Sequence, residues 1–498
     1  MSIINILVAI VLILIFVKFV FWVLSYRDRL AKWRQFPGST SWPVIGHSLE
    51  FKTPKDILPQ ALKYQKQYGL TFRVQLGKVH TLFTADPRLS EIITTSHTLI
   101  KKSLGVTFMR NWLGEGLITA DNPRWKIHRR LITPTFHFKI LEDFVPIFNK
   151  NAKHLVNFMK DNRMNEEFDV YEDIVLCSLD AICETAMGIS INALKDGNQS
   201  NYVKSVKFMG KILMRRSFSF WKQYDFLFNM SSERKQELKM IDHIRKITDS
   251  VIKTRTEEFR DRNNKKSEDY LGRKKHEAFL DHLLAELEQN GGIMSHQELR
   301  EEVDTFIFSG HHTVSSAISF AIHFLTKHQD IQQRVYDEII QVYGSESELT
   351  FDKLAELKYL ELVIKETLRL CPSVPLHSRV MTEDVHFDGK IIPKGVHVVL
   401  FLYGSHRNDK IFKNPEQFDP DRFLDDDLTK NALFAYLPFN AGPRNCIGQR
   451  YAMTKMKCIL SILLKEFKFT KDENFEIQPI AEGVLKSING VRVKIELR

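Results

Sequence analysis

The chain has 498 residues, 43% of them hydrophobic and 27% charged, with 16 prolines spread along it; this is a globular composition and excludes disordered, collagenous and multi-span membrane classes. Five cysteines, Cys177, Cys183, Cys371, Cys446 and Cys458, form no C-x-x-C pair, so neither a disulfide framework nor a zinc ribbon is indicated and a reducing environment fits better. A formal charge of +10 suits nucleic acid, anionic lipid or an acidic protein, and charge alone does not choose among them.

Residues 3–24, IINILVAIVLILIFVKFVFWVL, are nearly all apolar. At about 1.5 Å per helical residue they can cross a bilayer core of about 30 Å. Lys18 lies near the end of the run, where its stem can snorkel outward, and Arg27, Arg29, Lys32 and Arg34 follow. The positive-inside rule then puts the rest of the chain in the cytoplasm. The length of the run and the lack of a small-x-small cleavage site favour an uncleaved anchor over residues 1–26 rather than a secretory signal. FPGSTSWPVIG, with two prolines and two glycines, reads as a stiff tether within residues 27–46 or as a passing loop. Residues 47–498 show no further domain boundary.

Residues 70–85 alternate branched and aromatic side chains around Gly77, which predicts a β-hairpin. Most of the following 280 residues look helical. Residues 232–262 carry apolar positions at helical spacing among many charges, a long amphipathic helix, and residues 263–275 read as a polar loop. Ser295 and Glu298 form a capping box that opens a helix running to about Lys327, apolar on several faces and therefore passing through the core. Asp388-Gly389 predicts a second hairpin. The fold class is mainly α with small β-sheets.

Inside the central helix stands FIFSGHHTV, residues 306–314. Adjacent helical residues point about 100° apart, so His311 and His312 are not expected to chelate one ion, and positions 307, 308, 315 and 316 supply no second histidine. A single cysteine has stronger surroundings, in PFNAGPRNCIGQRYAM. Gly442 and Gly448 allow a tight loop around Cys446, Arg444 brings positive charge that favours thiolate, and a helix begins directly afterwards whose dipole would do the same.

Phe439-x-x-Gly442-x-Arg444-x-Cys446-x-Gly448 resembles the haem-binding loop of cytochrome P450, five fixed positions over ten residues. The resemblance implies the P450 fold, a helix-rich catalytic domain over residues 47–498, with Cys446 as proximal thiolate to the iron of haem b. Thiolate ligation favours O–O cleavage. Glu366-x-x-Arg369 resembles the family's E-x-x-R, and PEQFDPDRF the segment that supplies its partner, Arg422; the role implied for the three is structural. Trp125-x-x-x-Arg129 and Arg379 resemble propionate-holding positions, work suited to the planar donors of arginine.

The stretch EVDTFIFSGHHTV is similar to the signature of P450 family 4, a branch associated with fatty-acid ω-hydroxylation and, among insects, with hormone metabolism and insecticide breakdown. The resemblance implies that Thr313 helps route protons to oxygen. His312 replaces the family's acid, Val314 its second threonine, and Ser309 the glutamate that in many relatives is esterified to haem. Haem is therefore expected to be non-covalent. His312 can serve as the proton relay in place of the acid, or face away from the oxygen pocket and do little.

The resulting expectation is a single-pass protein of the endoplasmic reticulum membrane with its catalytic domain in the cytosol. It would oxidise a hydrophobic small molecule with O₂ and with electrons from NADPH through cytochrome P450 reductase, cytochrome b5 being a second candidate partner and nucleic acid none. A weakly coupled haem-containing lipid-binding protein and an oxygen-independent isomerase or dehydratase stand as alternatives.

Overall fold

The computed structural model describes residues 3–164, 166–196, 201–266, 278–288, 294–344, 346, 348–425 and 433–498. Its axis is the helix His296–Lys327. Ser295 Oγ accepts from the amide of Glu298 at 3.2 Å and the Glu298 carboxylate accepts from the amide of Ser295 at 2.7 Å, the expected capping box. Beyond its first turns the helix is buried on nearly every face, because its apolar residues do not keep to one stripe. It packs against the helices Val170–Ile182, Lys358–Leu370 and Gln449–Glu466. Gly310 is needed for that approach: a Cβ there would stand 2.6 Å from the Ile182 side chain.

The first predicted hairpin is strands β1 (Thr71–Leu76) and β2 (Val79–Thr84), paired antiparallel across Gly77 and Lys78. They form a four-stranded sheet in the order β1, β2, His397–Phe401, Leu376–Val380, with β2 parallel to His397–Phe401. The second predicted hairpin is Val385–Phe387 with Lys390–Ile392 around Asp388-Gly389. The long amphipathic helix spans Ser232–Lys266, so residues 263–266 of the expected loop are helical, and 267–275 lie outside the described residues.

The N-terminal helix spans Ile3–Arg34, and its stretch from Ile10 is apolar and long enough to cross a membrane. Leu12, Ile13, Phe16 and Phe21 are each 60% or more exposed, which in water would be unfavourable and in lipid is not. The last turn behaves differently. Trp33 is buried, its Nε1 donates to Thr81 O of β2 at 3.1 Å, and Lys32 pairs with Asp384 at 3.1 Å. Residues 36–46 then lie along β1: Arg73 donates to the carbonyls of Phe36 and Gly38, and Gly46 bridges to Leu76.

Candidate active site

A cavity of about 440 Å³ lies between the central helix, the four-stranded sheet and the loop that carries Cys446. Phe83, Phe108, Phe308, Val314, Ala317 and Val484 contribute apolar wall. The loop is held at both ends of its turn. Gly442 has φ +66, and a Cβ on it would stand 1.9 Å from Thr94 O, so only glycine fits; the Cys446 amide donates to Phe439 O at 2.9 Å. Gln449–Glu466 starts three residues later. The Cys446 side chain is consequently open to the cavity although it sits deep in the fold.

Burial pushes the Cys446 thiol above its ordinary range, and the Gly448 amide and the Arg129 guanidinium oppose that rise. The cation acting on the sulfur is thus Arg129, not the Arg444 that stands nearer in sequence. Arg129 donates to Asn445 O at 2.8 Å and Oδ1 at 2.7 Å, clamping the loop beside Cys446. Arg444 turns the other way, donating to the carbonyls of Leu117 and Ala120 and lying 4.3 Å from the centroid of the Trp125 ring, while its Nε has no partner among the described residues.

Arg379 is 2% exposed and donates to Ser378 O, with no carboxylate paired to it among the described residues. Burial pulls its guanidinium down to about 10, and burial together with Arg379 pulls Arg444 down to about 9. Lys102 joins them: it lines the cavity, and burial followed by Arg379 and Arg444 holds its amine well below the ordinary lysine range. Such a gathering of buried cations is strongly disfavoured unless anions meet it. Asp121 is the one carboxylate that opposes these shifts. The cluster fits the two propionates of a haem, with Lys102 as a member that a sequence containing 71 lysines and arginines does not single out.

Behind the loop, Arg369 donates to both oxygens of Glu366, at 2.7 and 2.8 Å, and to the carbonyls of His406, Pro415 and Gln417. Arg422 Nε donates to Glu366 Oε1 at 3.0 Å. His406 extends the network. Its Nε2 accepts from the Leu437 amide at 3.0 Å, so Nδ1 carries the proton and donates to Arg369 O at 3.1 Å. Burial brings this imidazole down to about 3, which keeps it in that neutral form. The ion pair is thereby tied to the backbone that leads into the Cys446 loop.

On the central helix Thr313, Ser309 and Val314 all line the cavity, and Thr313 Oγ1 donates to Ser309 O at 2.8 Å. His312 does not line it. The ring stands 2.9 Å from Tyr171 Oη and 6.0 Å from the ring of Phe308, and burial, with His311 next, holds it well below its ordinary range. That placement fits the second of the two readings of His312, in which it faces away from the oxygen pocket. Its neighbour also departs from the helical-wheel picture: the two imidazole centroids are 4.2 Å apart, with the His311 ring beside Tyr202 and the His312 ring bonded to Tyr171. The acids of the signature are structural. Glu302 is bonded to His128 Nδ1 at 2.7 Å and to the Leu117 amide, and Asp304, pushed up to about 7 by burial, accepts from Thr248 at 2.6 Å.

One sulfur presented to an apolar cavity rimmed by unpaired cations, with a buried carboxylate–guanidinium brace behind it, is the architecture of a haem-thiolate protein. The family profile described as Cytochrome P450 matches residues 36–495. Among curated relatives, Cytochrome P450 4c3 of Drosophila melanogaster is 37% identical over 489 residues, covering 95% of this chain and 91% of its own. Probable cytochrome P450 4s3 of the same organism is 38% identical, covering 96% and 97%, and Cytochrome P450 4V2 of Homo sapiens 37% identical, covering 96% and 94%. The chain belongs to the cytochrome P450 family, among family 4 members, and is an oxidoreductase of the monooxygenase class.

Proposed function

We propose that the protein is a membrane-anchored monooxygenase that inserts one oxygen atom of O₂ into an apolar C–H bond of fatty acids, lipid-like hormones or xenobiotics including insecticides. NADPH supplies the electrons through cytochrome P450 reductase, with cytochrome b5 as a second donor, at the cytosolic face of the endoplasmic reticulum. The observation that carries this reading is the Cys446 side chain facing a deep apolar cavity. Lys126, Arg130 and Arg450, exposed on the two helices flanking Cys446, suit an acidic redox partner.

Haem held there supplies the activation of O₂, a chemistry no side chain of this protein provides. The chain's own residues do the rest. Cys446 offers the iron a sulfur ligand, Lys102, Arg379 and Arg444 meet the propionates, and Arg129 holds the Asn445 backbone so that the sulfur keeps its direction. Aromatic and aliphatic walls orient an apolar substrate and exclude bulk water. Thr313 places a hydroxyl on the wall, where it can hold the water that hands on protons.

The direct test is the fraction of NADPH recovered as hydroxylated product when purified protein, reductase and a lipid substrate are combined; oxidation without product would overturn the proposal. In that assay Thr313→Ala should raise the share of electrons lost as peroxide several-fold. His312→Gln should leave the share unchanged and lower only thermal stability, by the bond to Tyr171, worth about 1 kcal/mol. The weakly coupled lipid-binding alternative, suggested by Ser309, His312 and Val314 together, would show instead as reductase-dependent NADPH oxidation with little product. Ser309 has no carboxyl to esterify, so acidified organic solvent should extract all the haem; pigment retained by the polypeptide would contradict this.

A further inference from the structure

Inserting one atom of O₂ into a C–H bond sends the other atom to water and consumes protons as well as electrons, so the reaction needs a proton path into an apolar cavity. Of the central-helix residues that line the cavity, those with polar side chains are Thr305, Ser309 and Thr313, each four residues from the next. Four residues bring a helix back to nearly the same bearing and advance it by about 6 Å. That is close to the span of one water bonded to a hydroxyl on either side at about 2.8 Å each.

The hydroxyls of this stripe differ from those on the core side of the same helix. Ser315 Oγ donates to His311 O at 2.7 Å and Ser319 Oγ to Ser315 O at 2.8 Å, in each case the carbonyl four residues back. Thr305 is 2% exposed, yet its Oγ1 has no partner among the described residues. Gly116 packs over it so closely that a Cβ would stand 2.2 Å from Oγ1, which leaves the cavity as its open side. An enclosed hydroxyl calls for a partner, and water is the one that an open polar stripe can hold. Thr313 Oγ1 donates to Ser309 O and keeps lone pairs to accept from such a water. The Thr305 end also lies near solvent. One turn earlier Glu301 pairs with Arg124 and accepts from the Glu115 amide at 3.1 Å, and the Arg124 and Glu115 side chains are 24% and 46% exposed.

We propose that Thr305 and Ser309 are positioning residues for a file of water that carries protons from solvent beside the Arg124–Glu301 pair, along the central helix, to Thr313. Each water takes a proton from the Thr305 side and releases one toward Thr313. No charge settles on the helix, bulk water is the source, and nothing is oxidised or reduced along the file. His312, outside the cavity lining, has no part in it. The inference rests on the monooxygenase reading above.

Two readouts on the purified holoenzyme test it: the share of NADPH electrons recovered as peroxide with reductase and a lipid substrate, and the ordered waters between residues 305 and 313 in a crystal structure. Ser309→Ala and Thr305→Val should each raise the peroxide share several-fold and remove the water beside the substituted residue, at unchanged haem content. Ser309→Thr and Thr305→Ser, which keep a hydroxyl, should hold both readouts at the parent's values, as should Ser319→Ala on the core side. A parent-like peroxide share in either Ser309→Ala or Thr305→Val, or a parent with no ordered water bonded to Thr305 and Ser309, overturns the inference alone. A leak in Ser309→Thr as large as that in Ser309→Ala also overturns it, because packing and not the hydroxyl would then be the cause. A parent that oxidises NADPH without hydroxylated product removes the monooxygenase reading and the inference together.

Discussion

Cys446→Ser should abolish turnover while leaving the helical fold in place. The side chain faces the cavity and packs against little, and the backbone bond from residue 446 to Phe439 O does not depend on the sulfur. Circular dichroism should therefore show an unchanged helical content. A serine oxygen is a shorter and harder ligand, and it lacks the electron donation of a thiolate. Changes to groups that merely support a metal ligand cost about 10- to 100-fold, so replacing the ligand itself should cost more than about 100-fold in product formation. The reduced carbon-monoxide spectrum should lose its thiolate-type band in the same variant. Retained turnover would mean that Cys446 is not the ligand.

Glu366→Ala should fail by another route, in folding. Glu366 and Arg369 are both fully buried and Arg422 nearly so, and three carbonyls accept from Arg369 besides its bonds to the carboxylate. Removing the carboxylate leaves two enclosed guanidinium groups without a counter-charge, a loss of about 3–5 kcal/mol. Domains have only about 5–15 kcal/mol to lose, so the yield of haem-loaded protein should fall to near nothing. The surface pair Arg334–Asp421, 2.8 Å apart and about half exposed at each end, is the control. Arg334→Leu should change stability by less than about 1 kcal/mol in denaturant titration. Equal effects from the two substitutions would show that the buried brace is not what holds the Cys446 loop.

Motifs whose residues are close in the chain are legible in the sequence alone. The loop around Cys446, the Glu366–Arg369 pair, the hairpins at Gly77 and Asp388-Gly389 and the capping box at Ser295 all depend on local backbone geometry, which residue types report directly. The direction of His312 is not legible in that way. Helical spacing gives the angle of a side chain about its own axis, but the packing of Val170–Ile182 decides which side is cavity and which is core. Lys102 and His406 escape for a related reason: they act through partners brought up by long-range packing, Arg379 and Arg444 in one case, Leu437 and Arg369 in the other. Arg444 misleads because it is near Cys446 in the chain while its guanidinium turns toward Leu117 and Ala120.

The junction at Trp33 makes the anchor a lever and not a rope. One continuous helix runs from the lipid-facing residues to Arg34, and its last turn is bolted to Thr81, on the strand that also supplies Val79, Thr81 and Phe83 to the cavity wall. If the apolar stretch lies in a bilayer, a tilt of the helix would be carried to β2 through the Trp33–Thr81 bond rather than absorbed in a slack linker.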